Sequence, residues 1–174
     1  MEQNRRNGGK SATCAFTGHR AAKLPWRGNE DDPRCAALKR CIYDTVEALY
    51  HSGVRHFISG MASGGDLYFC EAVLRLRAEH PEVTLEAAIP FEGQAGKWPA
   101  AQRRRYERLV AECDYRTVIS KEYTSTCMMR RNRYMVDASA YLIAVYNGAA
   151  GGTRATLRYA LRQGLEVIQL PIQE

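Results

Sequence analysis

Three short segments rich in glycine and small polar residues are the parts of this sequence best suited to bind a phosphorylated ligand. They occupy residues 17–20 (TGHR), 59–66 (SGMASGGD) and 147–153 (NGAAGGT), and the residues before each are mainly apolar. Glycines let the backbone approach a ligand closely, and the free N–H groups at a helix start favour a phosphate or carboxylate. One such turn is common in α/β folds, but three in one chain indicate a shared ligand site.

The predicted ligand-binding residues come from these segments and from a basic helical segment near residue 131. They are Thr17, Gly18, His19, Arg20, Ser59, Gly60, Gly64, Asp66, Arg131, Asn132, Asn147, Gly148, Gly151, Gly152 and Thr153. A guanidinium offers two parallel charge-assisted hydrogen bonds to a phosphate, so we expect Arg131 opposite residues 151–153. No segment matches G-x-x-x-x-G-K-[ST] or G-x-G-x-x-G, so neither a P-loop nor the standard dinucleotide fingerprint is indicated.

No catalytic set is evident, and the candidates for proton transfer are Asp66, Asp137 and His19. Asp66 lies near a predicted helix start, where it either caps the helix or contacts a ribose hydroxyl or base. Asp137 follows Arg131 on a predicted helix and is either catalytic or bonded to a neighbouring loop. His19 either acts as a general acid, packs over its turn or binds a backbone carbonyl.

The apolar pattern places the three segments at the ends of strands. Short apolar runs predict strands over residues 12–16, 54–58, 83–89, 116–119, 141–146 and 167–170. Helical patterns follow at residues 38–49, 69–76, 100–112, 125–139 with Ser125 as N-cap, and 157–164. Strands that are apolar throughout and alternate with helices are typical of a parallel sheet covered on both faces. Ligands of such sheets bind beyond the carboxyl ends of the strands.

Length and composition predict one globular domain. The 174 residues are 45% hydrophobic and 25% charged, and we expect a single domain over 1–174 with a flexible polar N-terminus over 1–10. The six cysteines include no C-x-x-C pair, which favours reduced, mostly buried thiols over a metal site. Neither a signal-peptide core nor an apolar span of about 18 residues is present in the sequence. We therefore expect a cytoplasmic protein with no metal and no membrane partner.

The formal net charge of +6 is concentrated in residues 97–133, which hold ten basic and four acidic residues. A basic stretch of this kind faces nucleic acid, an anionic small molecule or solvent. We assign Arg131 to the ligand pocket. The remaining cluster is expected on a helix face outside the pocket, and its members are Arg103, Arg104, Arg105 and Arg108.

The sequence resembles the SLOG superfamily of DNA-processing protein A (DprA) and the LOG nucleotide phosphoribohydrolases, and it is most similar to the YpsA-like (DUF1273) branch. The resemblance rests on residues 16–20 (FTGHR), 58–66 (ISGMASGGD), 131–137 (RNRYMVD) and 151–153 (GGT), and it spans nearly the whole chain. It implies a Rossmann-like three-layer sandwich, with a mainly parallel central sheet and helices on both faces. It also implies a nucleotide-type ligand, such as AMP, ADP-ribose or an NAD-like molecule, and pairing of subunits into a homo-oligomer.

The chain departs from the LOG pattern at two positions. LOG enzymes carry G-G-x-G-T-x-x-E and an Arg-Lys pair, whereas this chain has Thr156 at the glutamate position and Asn132 at the lysine position. A carboxylate stabilises the charge that develops during glycosidic cleavage, and a threonine does so poorly. Binding of a nucleotide-derived ligand, as a sensor or regulatory module, is therefore the leading hypothesis. The alternatives are hydrolysis of an N-glycosidic bond in a nucleotide or NAD-like ligand, and binding of single-stranded DNA.

Overall fold

Six strands and five helices alternate along residues 8–173, the part of the chain that the computed structural model describes. The strands are β1 (Thr13–Gly18), β2 (His56–Ser59), β3 (Thr84–Ile89), β4 (Tyr115–Val118), β5 (Tyr141–Val145) and β6 (Glu166–Leu170). The helices are α1 (Pro33–His51), α2 (Gly65–Glu79), α3 (Ala100–Glu112), α4 (Cys127–Asp137) and α5 (Gly152–Arg162). Of the expected flexible N-terminus, residues 1–7 lie outside the described residues, and Lys10–Ala12 form a short 3-10 turn.

All strands of the sheet are parallel, in the order β4-β3-β2-β1-β5-β6. The chain moves outward from β1 to β4 and then returns to add β5 and β6 on the other side of β1. Strands β1 and β5 are therefore neighbours at the point where the strand order reverses, and a crevice opens beyond their carboxyl ends. The α/β Rossmann-like architecture expected from the sequence is confirmed.

Both faces of the sheet are buried, which explains why the strands are apolar throughout. Large side chains such as Phe16 and Phe57 pack under α1, α2 and α3. Their neighbours Ala15 and Ile58 point to the opposite face and pack under α4 and α5. Because successive side chains of a strand alternate between faces, each strand contributes to both cores. The result is a three-layer sandwich of helices, sheet and helices.

The predicted cap of α4 is wrong. Ser125 lies within a turn in which the N–H of Cys127 bonds to the carbonyl of Thr124, at 3.3 Å, and the helix begins only at Cys127. The N-cap position belongs to Thr126, whose side chain makes no cap hydrogen bond. An N-cap residue needs extended backbone angles, and Thr126 has helical ones, with φ −111° and ψ −5°.

A buried polar cluster lies beneath α4, on the side of the sheet that carries the smaller core. His56 Nε2 and a carboxylate oxygen of Glu86 are 2.8 Å apart, and both side chains are almost fully buried. His56 Nδ1 is 2.8 Å from the hydroxyl of Thr84, and Thr117 donates to Glu86 at 2.7 Å. Tyr134 of α4 also donates to Glu86. These bonds join β2, β3, β4 and α4 through one carboxylate.

Two of the four arginines in the basic cluster of α3, Arg105 and Arg108, form ion pairs within the chain. Arg105 donates to Glu71 at 2.8 Å and 2.9 Å and also pairs with Glu30. Arg108 pairs with Glu112 at 3.2 Å. The contacts of Arg105 fasten α3 to α2 and to the loop before α1, whereas the Arg108–Glu112 pair lies within α3. No helix in residues 8–173 combines the length and apolarity needed to cross a membrane.

Candidate functional site

A cavity of about 280 Å³ opens at the crevice between the carboxyl ends of β1 and β5. The predicted site residues that line it are Thr17, Gly18, His19, Arg20, Asp66, Arg131, Asn132, Gly151, Gly152 and Thr153. The turn after β1 forms one wall, the start of α5 a second and α4 a third. The topology of the sheet thus gathers residues that are more than a hundred positions apart in sequence.

Arg131 lies at the buried wall of this cavity, with its side chain inserted from α4 towards the end of β2. Its Nη1 donates to the carbonyls of Gly60 and Ala88, the latter at 3.5 Å, and its Nε donates to Asn132 at 2.7 Å. Burial lowers the pKa of the guanidinium below its usual value. A cation held in a buried wall is poised to attract an anion, because the low local dielectric strengthens its field.

Asp66 faces the same cavity from the first turn of α2. Its Oδ2 accepts a hydrogen bond from the N–H of Ala62 at 3.0 Å, in the loop before the helix. Burial raises the pKa of the carboxyl to about 6, although the charge of Arg131 acts in the opposite direction. The N-cap of α2 is Gly64, and no side chain caps this helix. A buried carboxyl with a perturbed pKa in a cleft is typical of a functional site.

Gly60 lies close to both charged side chains, and any larger residue would force them to shift. A Cβ at this position would lie 2.6 Å from Nη1 of Arg131 and 2.9 Å from Oδ2 of Asp66. The missing side chain leaves the space in which both groups approach the end of β2. Gly60 is thus a structural part of the site although it does not line the cavity.

His19 and Asn147 connect the ends of β1 and β5. His19 Nε2 lies 2.7 Å from Oδ1 of Asn147, which also accepts from the N–H of Ala149 at 3.2 Å. Because the amide oxygen is an acceptor, His19 donates through Nε2. His19 thus holds the loop that leads into α5, and its ring also lies 6.0 Å from the ring of Tyr146, centre to centre.

The start of α5 presents backbone N–H groups to the cavity. Gly151 precedes the helix with φ +147°, and no side chain caps the helix start. The Nζ of Lys23 would lie 3.3 Å from a Cβ on Gly151, so this lysine stands directly over the turn. Uncapped N–H groups and the helix dipole together favour an anion at this point.

Several predicted site residues do not line the cavity. Ser59, Gly60, Gly64, Asn147 and Gly148 lie behind or beside its walls. Gly64 has φ +85°, and a Cβ there would lie 2.5 Å from the backbone nitrogen of Ala21, so it allows close packing of two loops. Ser59 binds the backbone at Met61 and Asp66.

Asp137, a candidate for proton transfer, also lies away from the cavity. It stands at the exposed end of α4 and accepts a hydrogen bond from the hydroxyl of Tyr159 at 2.7 Å. This bond is the structural role that the sequence left open for Asp137, except that the partner belongs to a helix and not to a loop. Of the three candidates, Asp66 and His19 alone line the cavity.

Sequence reasoning missed five residues of the cavity wall. They are Phe16, Lys23, Ala62, Met128 and Met135. Lys23 matters most, because it adds a third cation to Arg20 and Arg131. It lies in the 3-10 turn Ala21–Lys23, which directly follows the first glycine segment, and a search for basic residues after that segment would have found it. Among residues 8–173, no group of three or more His, Cys, Asp and Glu side chains is arranged to hold a metal ion.

Thr156, at the position of the LOG glutamate, is buried and does not face the cavity. Its hydroxyl donates to the carbonyl of Gly152 at 2.9 Å within α5. Asn132 accepts from Arg131 in place of the LOG lysine. The glutamate and the lysine of the LOG pattern are therefore both absent from these two positions.

The raised pKa of Asp66 leads to a testable dependence of stability on pH. The folded protein holds the proton more tightly than the unfolded chain, whose carboxyl titrates near 3.8. Stability therefore falls as pH rises from about 4 to 6, by up to about 3 kcal/mol. Asp66→Asn keeps the acceptor for Ala62 but has no such titration.

The quantity to compare is the free energy of unfolding of Asp66→Asn minus that of the wild type. We expect this difference to be larger at pH 7.5 than at pH 4, by up to about 3 kcal/mol. Urea unfolding at the two pH values measures it. If the difference in stability between variant and wild type were the same at both pH values, the raised pKa of the Asp66 carboxyl would be contradicted.

Comparisons with known proteins place the chain in a family. The model described as "YspA SLOG family" (YpsA) matches residues 14–170. The "Uncharacterized SPbeta prophage-derived protein YoqJ" of Bacillus subtilis (strain 168) is 32% identical over 142 residues, which cover 74% of this chain and 83% of that protein. The "UPF0398 protein YpsA" of the same organism is 24% identical over 141 residues, 80% of this chain and 78% of that protein.

A solved structure is similar in fold. DNA processing protein A (DprA) from Streptococcus pneumoniae superposes with a TM-score of 0.63 over 92% of this chain at 18% sequence identity. The chain spans 50% of the length of that DprA chain, and the likeness concerns the fold alone. The family match over residues 14–170 and the parallel sheet agree, and the chain therefore belongs to the YpsA family of SLOG proteins.

Proposed function

We propose that this protein binds a nucleotide-derived small molecule at the carboxyl ends of β1 and β5 and acts as a sensor or regulatory module. The observation that carries the proposal is the charge of the cavity wall. Arg20, Lys23 and Arg131 face the cavity, and the carboxyl of Asp66 is the single acidic group among its lining residues. This excess of positive charge suits an anionic ligand.

The proposed pose follows from the two ends of the cavity. The phosphate lies on the N–H groups at the start of α5, with Arg131 on the opposite wall and Lys23 above the turn. The sugar or base extends towards Gly18 and Asp66, whose carboxyl accepts from a ribose hydroxyl. The position of Asp66 in the cavity wall supports a role in binding, because a buried carboxyl with a raised pKa in a cleft is a candidate functional group.

A second candidate function is hydrolysis of an N-glycosidic bond. It is supported by the pKa of about 6 for Asp66, which suits proton transfer near neutral pH. Incubation of the protein with AMP or NAD and chromatography of the products distinguishes the two candidates. Release of free adenine or nicotinamide would establish an enzyme, and intact ligand recovered after prolonged incubation supports a binding module.

Binding is tested by thermal shift and calorimetry with AMP, ADP-ribose, NAD and cyclic nucleotides. We expect at least one of these to raise the melting temperature in proportion to the logarithm of its concentration. The name of DprA associates that protein with DNA, so a single-stranded oligonucleotide belongs in the same screen. Salt-dependent binding of the oligonucleotide, with no stabilisation by any small nucleotide, would overturn the proposal in favour of DNA binding. As a binder of such metabolites, and with six free cysteines, the protein is proposed to be cytoplasmic.

A further inference from the structure

A second cavity, of about 310 Å³, lies between α4 and α5 and adjoins the first. Met128, Asn132 and Gly152 line both cavities, so the two spaces meet at the start of α5. From Gly152 the second cavity follows α5 to Arg162, a distance of about 15 Å at the helical rise per residue. We call this second space the interhelical groove.

The far end of the groove is positively charged. Arg133 of α4 and Arg162 of α5 line it, and their guanidinium carbons lie 5.3 Å and 5.9 Å from the centre of the Tyr159 ring. Among the described residues, no carboxylate lies within 4.0 Å of either arginine. The acidic residue that also contacts Tyr159 is Asp137, which accepts from the Tyr159 hydroxyl. Two cations and one carboxylate surround this ring, and the net positive charge that results suits an anionic group.

The middle of the groove is suited to a neutral ring or sugar. Met129 and Ala155 contribute apolar surface, and the hydroxyl of Thr156 is already bonded to the Gly152 carbonyl. Met129 is 46% exposed, which is high for a large apolar side chain in this chain. A glutamate at position 156 would place a negative charge in this groove, whereas the threonine leaves it neutral.

We propose that the ligand contains two nucleoside units joined through phosphate, and that its second unit occupies the interhelical groove. This inference rests on the proposed function, because the first unit occupies the cavity at β1 and β5. The linking phosphate lies at Gly152, where the two spaces meet. The second unit lies against Met129 and Ala155, and its phosphate or sugar oxygens bind Arg133 and Arg162.

Calorimetry with the full chain tests the inference with ligands of one and two units. The probes are AMP, the 3′–5′-linked dinucleotide pApA and the 5′–5′-linked diadenosine diphosphate. We expect at least one of the two-unit probes to bind at least about 10-fold more tightly than AMP. The probe that binds more tightly of the two identifies the linkage. If neither binds more tightly than AMP while AMP binds, the inference is wrong and the proposed function stands. If none of the three binds, the inference is wrong, whereas the proposed function is refuted only if ADP-ribose, NAD and cyclic nucleotides also fail to bind.

Charge reversal in the groove locates the second unit. Arg162→Glu is expected to weaken binding of the tighter two-unit probe by about 10-fold and binding of AMP by less than about twofold. Arg158→Glu is the matched control, because it makes the same charge change on an exposed residue of α5 that lines neither cavity. Equal losses in the two variants would show a general electrostatic effect and would overturn the placement in the groove. Loss confined to Arg162→Glu supports it.

Discussion

Replacement of Gly152 by aspartate is expected to weaken binding of AMP by at least about 100-fold while leaving the fold intact. Gly152 is the first residue of α5, and no atom lies within 4 Å of the position of its missing Cβ. A carboxylate there occupies the anion position and repels the phosphate by about 4 kcal/mol at a separation of 4 Å near the surface. Calorimetry on the wild type and the variant measures the loss.

The fold tolerates this change, which makes the result specific. An aspartate in the first turn interacts favourably with the helix dipole, so the melting temperature of Gly152→Asp should equal or exceed that of the wild type. Gly152→Asn, which is similar in size and neutral, is the control and should lose less than about 10-fold in affinity. If the aspartate variant bound AMP with unchanged affinity, the glycine turn would have a structural role only.

Replacement of Glu86 by alanine is expected to lower the free energy of unfolding by about 3–5 kcal/mol. The change leaves His56 buried without its carboxylate and removes the acceptor of Thr117 and Tyr134. A buried polar group that loses its partner retains the full cost of its removal from water. Urea unfolding followed by circular dichroism measures the effect.

The conservative variant Glu86→Gln separates charge from hydrogen bonding. It keeps an acceptor oxygen on β3, so its loss of stability should be smaller than that of Glu86→Ala. A loss below about 1 kcal/mol in Glu86→Ala would show that the cluster beneath α4 contributes little. Because neither Glu86 nor His56 lines the cavity, both variants should bind AMP with the affinity of the wild type at temperatures where they remain folded.

The sequence was sufficient to predict the sheet and the general place of the site. Buried parallel strands must be apolar on both faces, so runs such as residues 141–145 are visible without a structure. Glycine segments after such runs must lie at one edge of the sheet, because parallel strands all end on the same side. These two constraints, together with the resemblance, predicted that His19, Asp66, Arg131 and Gly152 lie near one another, and all four line the same cavity.

The features that the sequence did not predict depend on contacts between distant elements. Glu86 lies in an apolar run and gives no sign that it will meet His56 across the sheet. Lys23 reaches the start of α5 because the 3-10 turn after β1 directs the chain there. The arginines of residues 103–108 resemble a nucleic-acid surface in sequence, yet Arg105 is bound by glutamates from two other segments.

The positive charge of the interhelical groove is a further feature that the sequence did not predict. Its two arginines come from different helices, and Arg162 lies outside the basic stretch of residues 97–133, so counting charge by segment could not reveal the pair. The pairing follows from the packing of α4 on α5. Local periodicity and strand direction thus predict the elements and the edge of the sheet where the site lies. Which charged side chains lie close together depends on tertiary packing.

A crystal structure of the protein grown with saturating AMP tests the central claim most directly. The account predicts density for the phosphate within hydrogen-bond distance of the N–H groups of Gly152 and Thr153, with the ribose beside Asp66. The side chains of Arg131 and Lys23 should face that phosphate. AMP bound at another surface, or a cavity between β1 and β5 that remains free of AMP at saturation, would contradict the account.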